Sequence, residues 1–173
     1  AGSGGNQEVA RAIGCHDLAL VRGGHVGDPR LAGVPFAVLI ASRLPFATAL
    51  PKLPVPWDEK TLSMTVRCRG HEIEVHSVHV PPGSTNKWTK VMVLEGIAKG
   101  LATPSPRRRV LCGDFNTPQH ETISGEIITW AQRMTANKIV LRSRIHGGSG
   151  ARWDAAERGI FAGGFVDVFR ALH

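Results

Sequence analysis

The chain has 173 residues, 42% of them hydrophobic and 20% charged, which is enough for one ordinary core and argues against an intrinsically disordered segment. Lysine and arginine outnumber aspartate and glutamate by seven (21 against 14), a balance that favours polyanionic partners through electrostatic steering. No apolar run approaches the ~20 residues of a membrane span, the opening AGSGGNQEVARAIG lacks the basic-then-apolar order of a signal peptide, and three scattered cysteines, Cys15, Cys68 and Cys112, argue against a zinc knuckle and for reduced thiols in the cytoplasm.

Residues 1–5 are small and polar and read as a tail. With no initiating Met and an abrupt stop at FVDVFRALH, both ends are expected to be cut, and residues 1–173 to form a single truncated domain. Glu8 to Ile13 predicts a short helix ending at Gly14. GGHVGDPRLAG at 23–33 is a glycine-rich loop without the flanking strand and helix of a dinucleotide fingerprint. VPFAVLIAS at 34–42 is a continuous apolar run of the length of a buried strand, and prolines 45, 51, 54 and 56 then mark a stretch that excludes a central strand. In TLSMTVRCR at 61–69, Leu62, Met64, Val66 and Cys68 alternate with polar residues as in a half-buried strand; EIEVHSVHV at 72–80 follows around Gly70, so the two predict a hairpin, ended by PPGS.

A helix is predicted from about Asn86 to Leu101, with Val91, Leu94, Ala98 and Leu101 on one stripe. TPSPRRR leads into a short apolar strand, Val110-Leu111-Cys112, with Cys112 expected in the core. Thr117-Pro118 predicts a helix start, and Ile123, Ile127, Trp130, Ala131 and Met134 would line that helix's buried face. Trp88 and Trp130 fit helix stripes and are expected to be core residues. Residues 145–152 read as loop, and Trp153 to Ala162 as a helix stopped by Gly163-Gly164. Strands and helices are thus mixed with at least one hairpin, which is α+β character: sheets covered by helices.

The residues able to do chemistry gather at strand ends. Asp114 and Asn116, two apart after an apolar strand, project the same way, and Gly113 before them leaves room for close approach. A carboxylate beside an amide can hold a hard metal ion or align a water for attack on phosphorus; the same Asp-x-Asn can also do no more than satisfy a turn. His76 and His79, three apart on one strand, face opposite sides, and His79 lies at the carboxyl end, where a histidine can serve a phosphoryl oxygen or act as acid or base.

SVHVPPGS at 77–84, a helix, and then VLCGDFNTP at 110–118 resemble the exonuclease–endonuclease–phosphatase superfamily, of DNase I-like fold, and within it the bacterial exonuclease III-type enzymes. GDFN matches the family's Gly-Asp-x-Asn signature. The stretch 153–173 is similar to its helix followed by Gly-Leu-Val-Asp-x-Phe-Arg, and GVPFAVLIASRLPF at 33–46 to its Gly-Val-Ala-Ile-Leu-x-Ser-Arg segment. The resemblance runs from Gly33 to His173, with a poor match near 135–150. It implies an α/β, four-layered sandwich of two mixed β-sheets flanked by helices, here incomplete at both ends. It also implies magnesium or manganese and hydrolysis of a phosphodiester, with DNA as the partner. By position Asp114 would align or deprotonate the attacking water. Asn116 would orient that acid, or reach the metal or a phosphate oxygen. His79 would hydrogen-bond the scissile phosphate.

The chain departs from the family where the metal is concerned. Gln7-Glu8 is the nearest match to the family's Gln-Glu metal pair, but it runs straight into VARAIG, too soon for the family's spacing, so Glu8 is a poor metal ligand. The family's closing Asp-His pair would lie beyond His173. The chain by itself is therefore expected to be inactive. Asn86, Lys87 and Lys90 are candidates for substrate phosphates, Arg142, Arg144 and Arg152 occupy a loop where relatives touch DNA, and Arg107-Arg108-Arg109 reads as a solvated loop. Two other readings stand beside the nuclease: a phosphodiesterase or phosphatase for a phospholipid or inositol phosphate, and a non-catalytic domain that binds a polyanion.

Overall fold

A computed structural model of the chain describes residues 17–22, 37–57, 60–136 and 138–172. It divides into two compact units: the chain up to Leu53 with Trp57–His79 and Pro104–Asp114, and Pro54–Pro56 with Val80–Thr103 and Phe115–His173. The expected helix at 8–13, the loop at 23–33 and Glu8 lie outside the described residues.

In the first unit β1 (Asp17–Arg22) pairs antiparallel with β2 (Ala37–Ser42). β2 is less uniformly buried than its apolar run predicts: Val38 and Ile40 are buried, whereas Leu39 between them is 45% exposed. Then β3 (Phe46–Ala49), β4 (Thr61–Cys68), β5 (His71–His79) and β6 (Arg108–Asp114) form one sheet in that order. β3 comes from the proline-marked stretch and sits at the sheet's edge, where prolines are tolerated. β4 and β5 are antiparallel, and Arg69 and Gly70 between them have φ of 49° and 81°, the two positive values of the tight turn that matches strand twist. β6 returns parallel to β5 after the helical crossover.

The alternation in β4 is real, but its polar face is the more buried one. Thr61, Ser63 and Thr65 are buried while Leu62, Met64 and Cys68 are half-exposed, and Glu74 and His76 of β5 share their face. Several of these groups are paired internally, while Thr65 Oγ1 and His76 Nε2 have no hydrogen-bond partner among the described residues. Ser63 Oγ bonds His76 Nδ1 at 2.8 Å, and Glu74 accepts from Ser105 Oγ at 2.8 Å and from Arg109 Nε at 2.9 Å. Burial alone would raise the Glu74 carboxyl, but the Ser105 hydroxyl and Arg109 guanidinium outweigh it and hold the group below its usual value. The RRR stretch is thus not simply a solvated loop. Arg109 is committed to Glu74, Arg107 to Glu72 at 2.8 Å, and Arg108 remains exposed within β6.

β6 also corrects the expectation of a buried strand. Among the described residues it is an edge strand and the face carrying Val110 (46% exposed) and Cys112 is open, so Cys112 is exposed and not a core thiol. Gly113, opposite Val78, has φ 133°, and a Cβ there would run into the Val78 carbonyl oxygen. Gly113→Ala therefore combines backbone strain with a clash against main chain, and is expected to cost ~2–5 kcal/mol of stability. Denaturant titration checks it; a loss below ~0.5 kcal/mol, the scale of a neutral surface change, would mean the two strands can slide apart cheaply.

The second unit holds a single turn of helix, α1 (Gly83–Asn86), then α2 (Trp88–Ala102), broken apart by Lys87 at φ 48°. Val91, Val93, Leu94 and Ile97 are fully buried on α2, and Gly96 lies against the Pro54 carbonyl, closer than a side chain would allow. The helix expected after Pro118 is absent. In its place stand β7 (His120–Glu121), β8 (Ile127–Ile128) and β9 (Gln132–Met134), followed by β10 (Ile139–Leu141), β11 (Arg144–Ile145) and β12 (Gly148–Ser149), paired β7–β8, β9–β10 and β11–β12. Turn chemistry overrides the helical spacing. Gly125 at φ 81° donates to the Thr122 carbonyl, Glu126 N donates to Thr122 Oγ1, and the β-branched Ile127-Ile128-Thr129 prefers strand. Of the expected buried face, Ala131 is buried and Ile127 half-buried, while Trp130 and Met134 are exposed and Ile123 fully so. α3 (Gly150–Ala162) starts three residues earlier than expected, because the Ser149 hydroxyl caps it by accepting from Arg152 N; α4 (Val168–Leu172) follows.

Candidate functional site

In the first unit, β5 and β6 are parallel neighbours, and His79 and Asp114 are paired across them as the last residue of each strand. Carboxyl ends of parallel strands are where open α/β sheets gather functional groups. Paired residues share a face, so the imidazole and the carboxylate stand side by side. Lys60, preceding β4, completes the local electrostatics. Burial pushes the half-buried His79 below the usual imidazole range, Lys60 pushes it further, and Asp114 pulls it partly back. His79 is consequently neutral near pH 7, able to donate one ring N–H and accept at the other nitrogen.

His76 has a different place. It is buried on the opposite face, bonded to Ser63, with Nε2 3.8 Å from Glu74 Oε2 and so beyond hydrogen-bond reach. Burial lowers its pKa and Glu74 offsets only part of that. The two histidines therefore divide as strand geometry requires.

The chain enters the second unit at Phe115. Asn116 adopts φ 48°, its side-chain Nδ2 donates to the Val80 carbonyl at 2.8 Å, and its carbonyl accepts from Lys90 Nζ at 2.7 Å and Trp130 Nε1 at 3.2 Å. Lys90, expected as a candidate for a substrate phosphate, is not available to one. It is 0% exposed and paired with an equally buried Glu157 at 2.8 Å. Lys87 is exposed, while the side chain of Asn86 lies outside the described residues. Arg152 is held by both oxygens of Glu95 at 2.8 Å, whereas Arg142 and Arg144 join Arg133, Leu141 and Ser143 around a pocket of about 520 Å³. Trp88 packs edge-on to the buried Trp153 with ring centres 5.5 Å apart, but the 44%-exposed Trp130 is not a core residue.

Sequence reasoning missed Lys60 and the Lys90–Glu157 pair. Nothing in the sequence marks Lys60, which matters only because β4 places it beside the end of β5. The pair did leave a signal. Lys90 repeats with Leu94 and Ile97, and Glu157 with Trp153 and Ile160, so each charge falls on an apolar helix stripe, a position that a charge holds only when paired.

Magnesium is held by one or two carboxylates with water and phosphate oxygens completing its shell. Asp114 fits as one such carboxylate. Among the described residues no group of three His, Cys, Asp or Glu side chains forms a metal centre.

No protein-family model and no curated protein matches the chain. Among solved structures it is similar to an AP endonuclease from Archaeoglobus fulgidus, with a TM-score of 0.55 and 24% identity, over 94% of this chain and 56% of that one. The chain thus spans little more than half the length of that protein. The likeness shows the fold class expected from the sequence: the chain has a mixed α/β fold, shared with that protein.

Proposed function

We propose that the protein is a divalent-metal-dependent phosphodiester hydrolase of the exonuclease–endonuclease–phosphatase superfamily, acting on DNA as an abasic-site or exonuclease III-type nuclease in the cytoplasm. The observation that supports it most is the register pair of His79 and Asp114 at the carboxyl ends of β5 and β6. Asp114 takes the proton of a water whose oxygen attacks phosphorus. Neutral His79 donates its ring N–H to a phosphoryl oxygen as the P–O ester bond breaks, and the leaving alkoxide takes a proton from solvent. Asn116, two residues on, orients the acid or meets a phosphate oxygen, and Lys87 offers a backbone phosphate contact. A bound magnesium or manganese ion, with Asp114 among its ligands, would supply charge neutralisation at the phosphate.

The test is cleavage by the protein in its natural full length of end-labelled duplexes, intact or with one abasic site, with magnesium, manganese or a chelator. Metal-dependent incision at the abasic site is expected. Release of phosphate from an inositol phosphate or phospholipid, with DNA untouched, would move the substrate elsewhere; no turnover of any of them would reject the hydrolase.

One observation favours a second reading, a domain that only binds a polyanion: Arg133, Arg142 and Arg144 line a single pocket with no acidic residue among its lining. Salt-sensitive DNA binding without cleavage in magnesium would support that reading instead.

A further inference from the structure

We propose that Lys90 and Glu157 are positioning residues for Asn116, acting through its backbone; the kinetic part of this inference rests on the hydrolase reading above. Asn116 stands at φ 48°, in the left-handed region that asparagine tolerates but that persists only where the surroundings impose it. Lys90 Nζ donates to its carbonyl oxygen at 2.7 Å and Trp130 Nε1 to the same oxygen at 3.2 Å. One residue on, Thr117 Oγ1 donates to Glu157 Oε2 at 2.8 Å. Glu157 also accepts from Trp153 Nε1 at 2.7 Å and from Trp130 N at 3.0 Å, so both of its oxygens are occupied.

A lysine and a glutamate that are both fully buried are costly to desolvate, and apolar residues of similar volume are often as stable or more so. What an apolar pair lacks is a donor for the Asn116 carbonyl and acceptors for the Thr117 hydroxyl and two tryptophan N–H groups. The ion pair therefore supplies geometry: α2 contributes the ammonium, α3 the carboxylate, and between them they fix two consecutive residues of one turn. Lys90 also stacks 5.7 Å from the centre of the Trp130 ring, tying the same indole that bonds Asn116 into the clamp.

The experiment uses the protein in its natural full length. Lys90→Met is expected to lower kcat about 10–100-fold with KM within about twofold, as misplacing a reacting group does. In an Asn116→Ala background the same change is expected to cost under about threefold, because the residue being positioned is gone. An unchanged kcat, or a loss that multiplies fully with that of Asn116→Ala, overturns the proposal. Should Lys90→Met fail to fold, Thr117→Val removes one hydroxyl at nearly constant shape and is expected to lower kcat about 3–10-fold in the same pattern; full activity there overturns it equally. A second readout needs no turnover. The Asn116 side-chain amide protons, followed by NMR, are expected to exchange with solvent at least about tenfold faster in either variant. Unchanged exchange rejects the positioning role whatever the substrate, whereas full activity in Asp114→Ala would reject the hydrolytic assignment and leave the exchange result to decide this one.

Discussion

Replacing Asp114 with alanine is expected to reduce phosphodiester cleavage by ~10²–10⁴-fold, the scale of general-base catalysis. The fold should survive. Asp114 is the exposed last residue of β6, an edge strand among the described residues, and a truncation there is expected to change stability by no more than about 0.5–1 kcal/mol. The two measurements belong together: initial rates on an abasic duplex at saturating metal, and thermal melts of both proteins. A mutant within a few-fold of the wild-type rate would remove the central residue of the proposed mechanism. A mutant that has lost both activity and its melting transition would show instead that Asp114 is a structural cap on β6.

The parts of this fold legible in the sequence are those in which local chemistry and tertiary placement agree. The β4–β5 hairpin combines period-two alternation with an Arg-Gly turn, and the short apolar Val110-Leu111-Cys112 leads into GDFN, so both are found as strands where they are expected, although the second is exposed and not buried. Residues 118–134 fail because two signals conflict. Ile123, Ile127, Trp130, Ala131 and Met134 recur at helical spacing, yet the Thr122–Gly125 turn and the β-branched run after it decide the backbone. The polar buried face of β4 is hidden for another reason: period two says that the faces differ, not which one is covered, and the partners of Ser63 and Glu74 lie 13 and 31 or more residues away. For the candidate site, Asp114, Asn116 and His79 could be named from short motifs. Lys60, and the committed state of Lys90, depend on neighbours distant in the chain.

Exchanging the two histidines for alanine in turn is expected to separate chemistry from stability. His79→Ala should lower kcat by about 10²-fold or more, since it removes the N–H offered beside Asp114. His76→Ala should leave kcat within a few-fold and cost ~1–3 kcal/mol of stability, because it strands the buried Ser63 hydroxyl. The pH dependences then differ in kind. Burial lowers the pKa of both imidazoles in the folded protein, while in the unfolded chain each returns to about 6.5. Below pH ~6.5 the unfolded state binds more protons, so the wild type should hold its full histidine-linked stability above that pH and lose it progressively as pH falls toward the lowered folded values. His76→Ala should flatten part of that slope, with His79 supplying the remainder. The wild-type rate, which needs neutral His79, should persist slightly below pH 6.5 and fall only as that residue protonates. Melts from pH 8 to 5, set beside a rate profile over the same range, measure both. A wild type that grows more stable on acidification, or a His76→Ala enzyme slowed more than His79→Ala, would mean that the face of β5 carrying the chemistry has been misassigned.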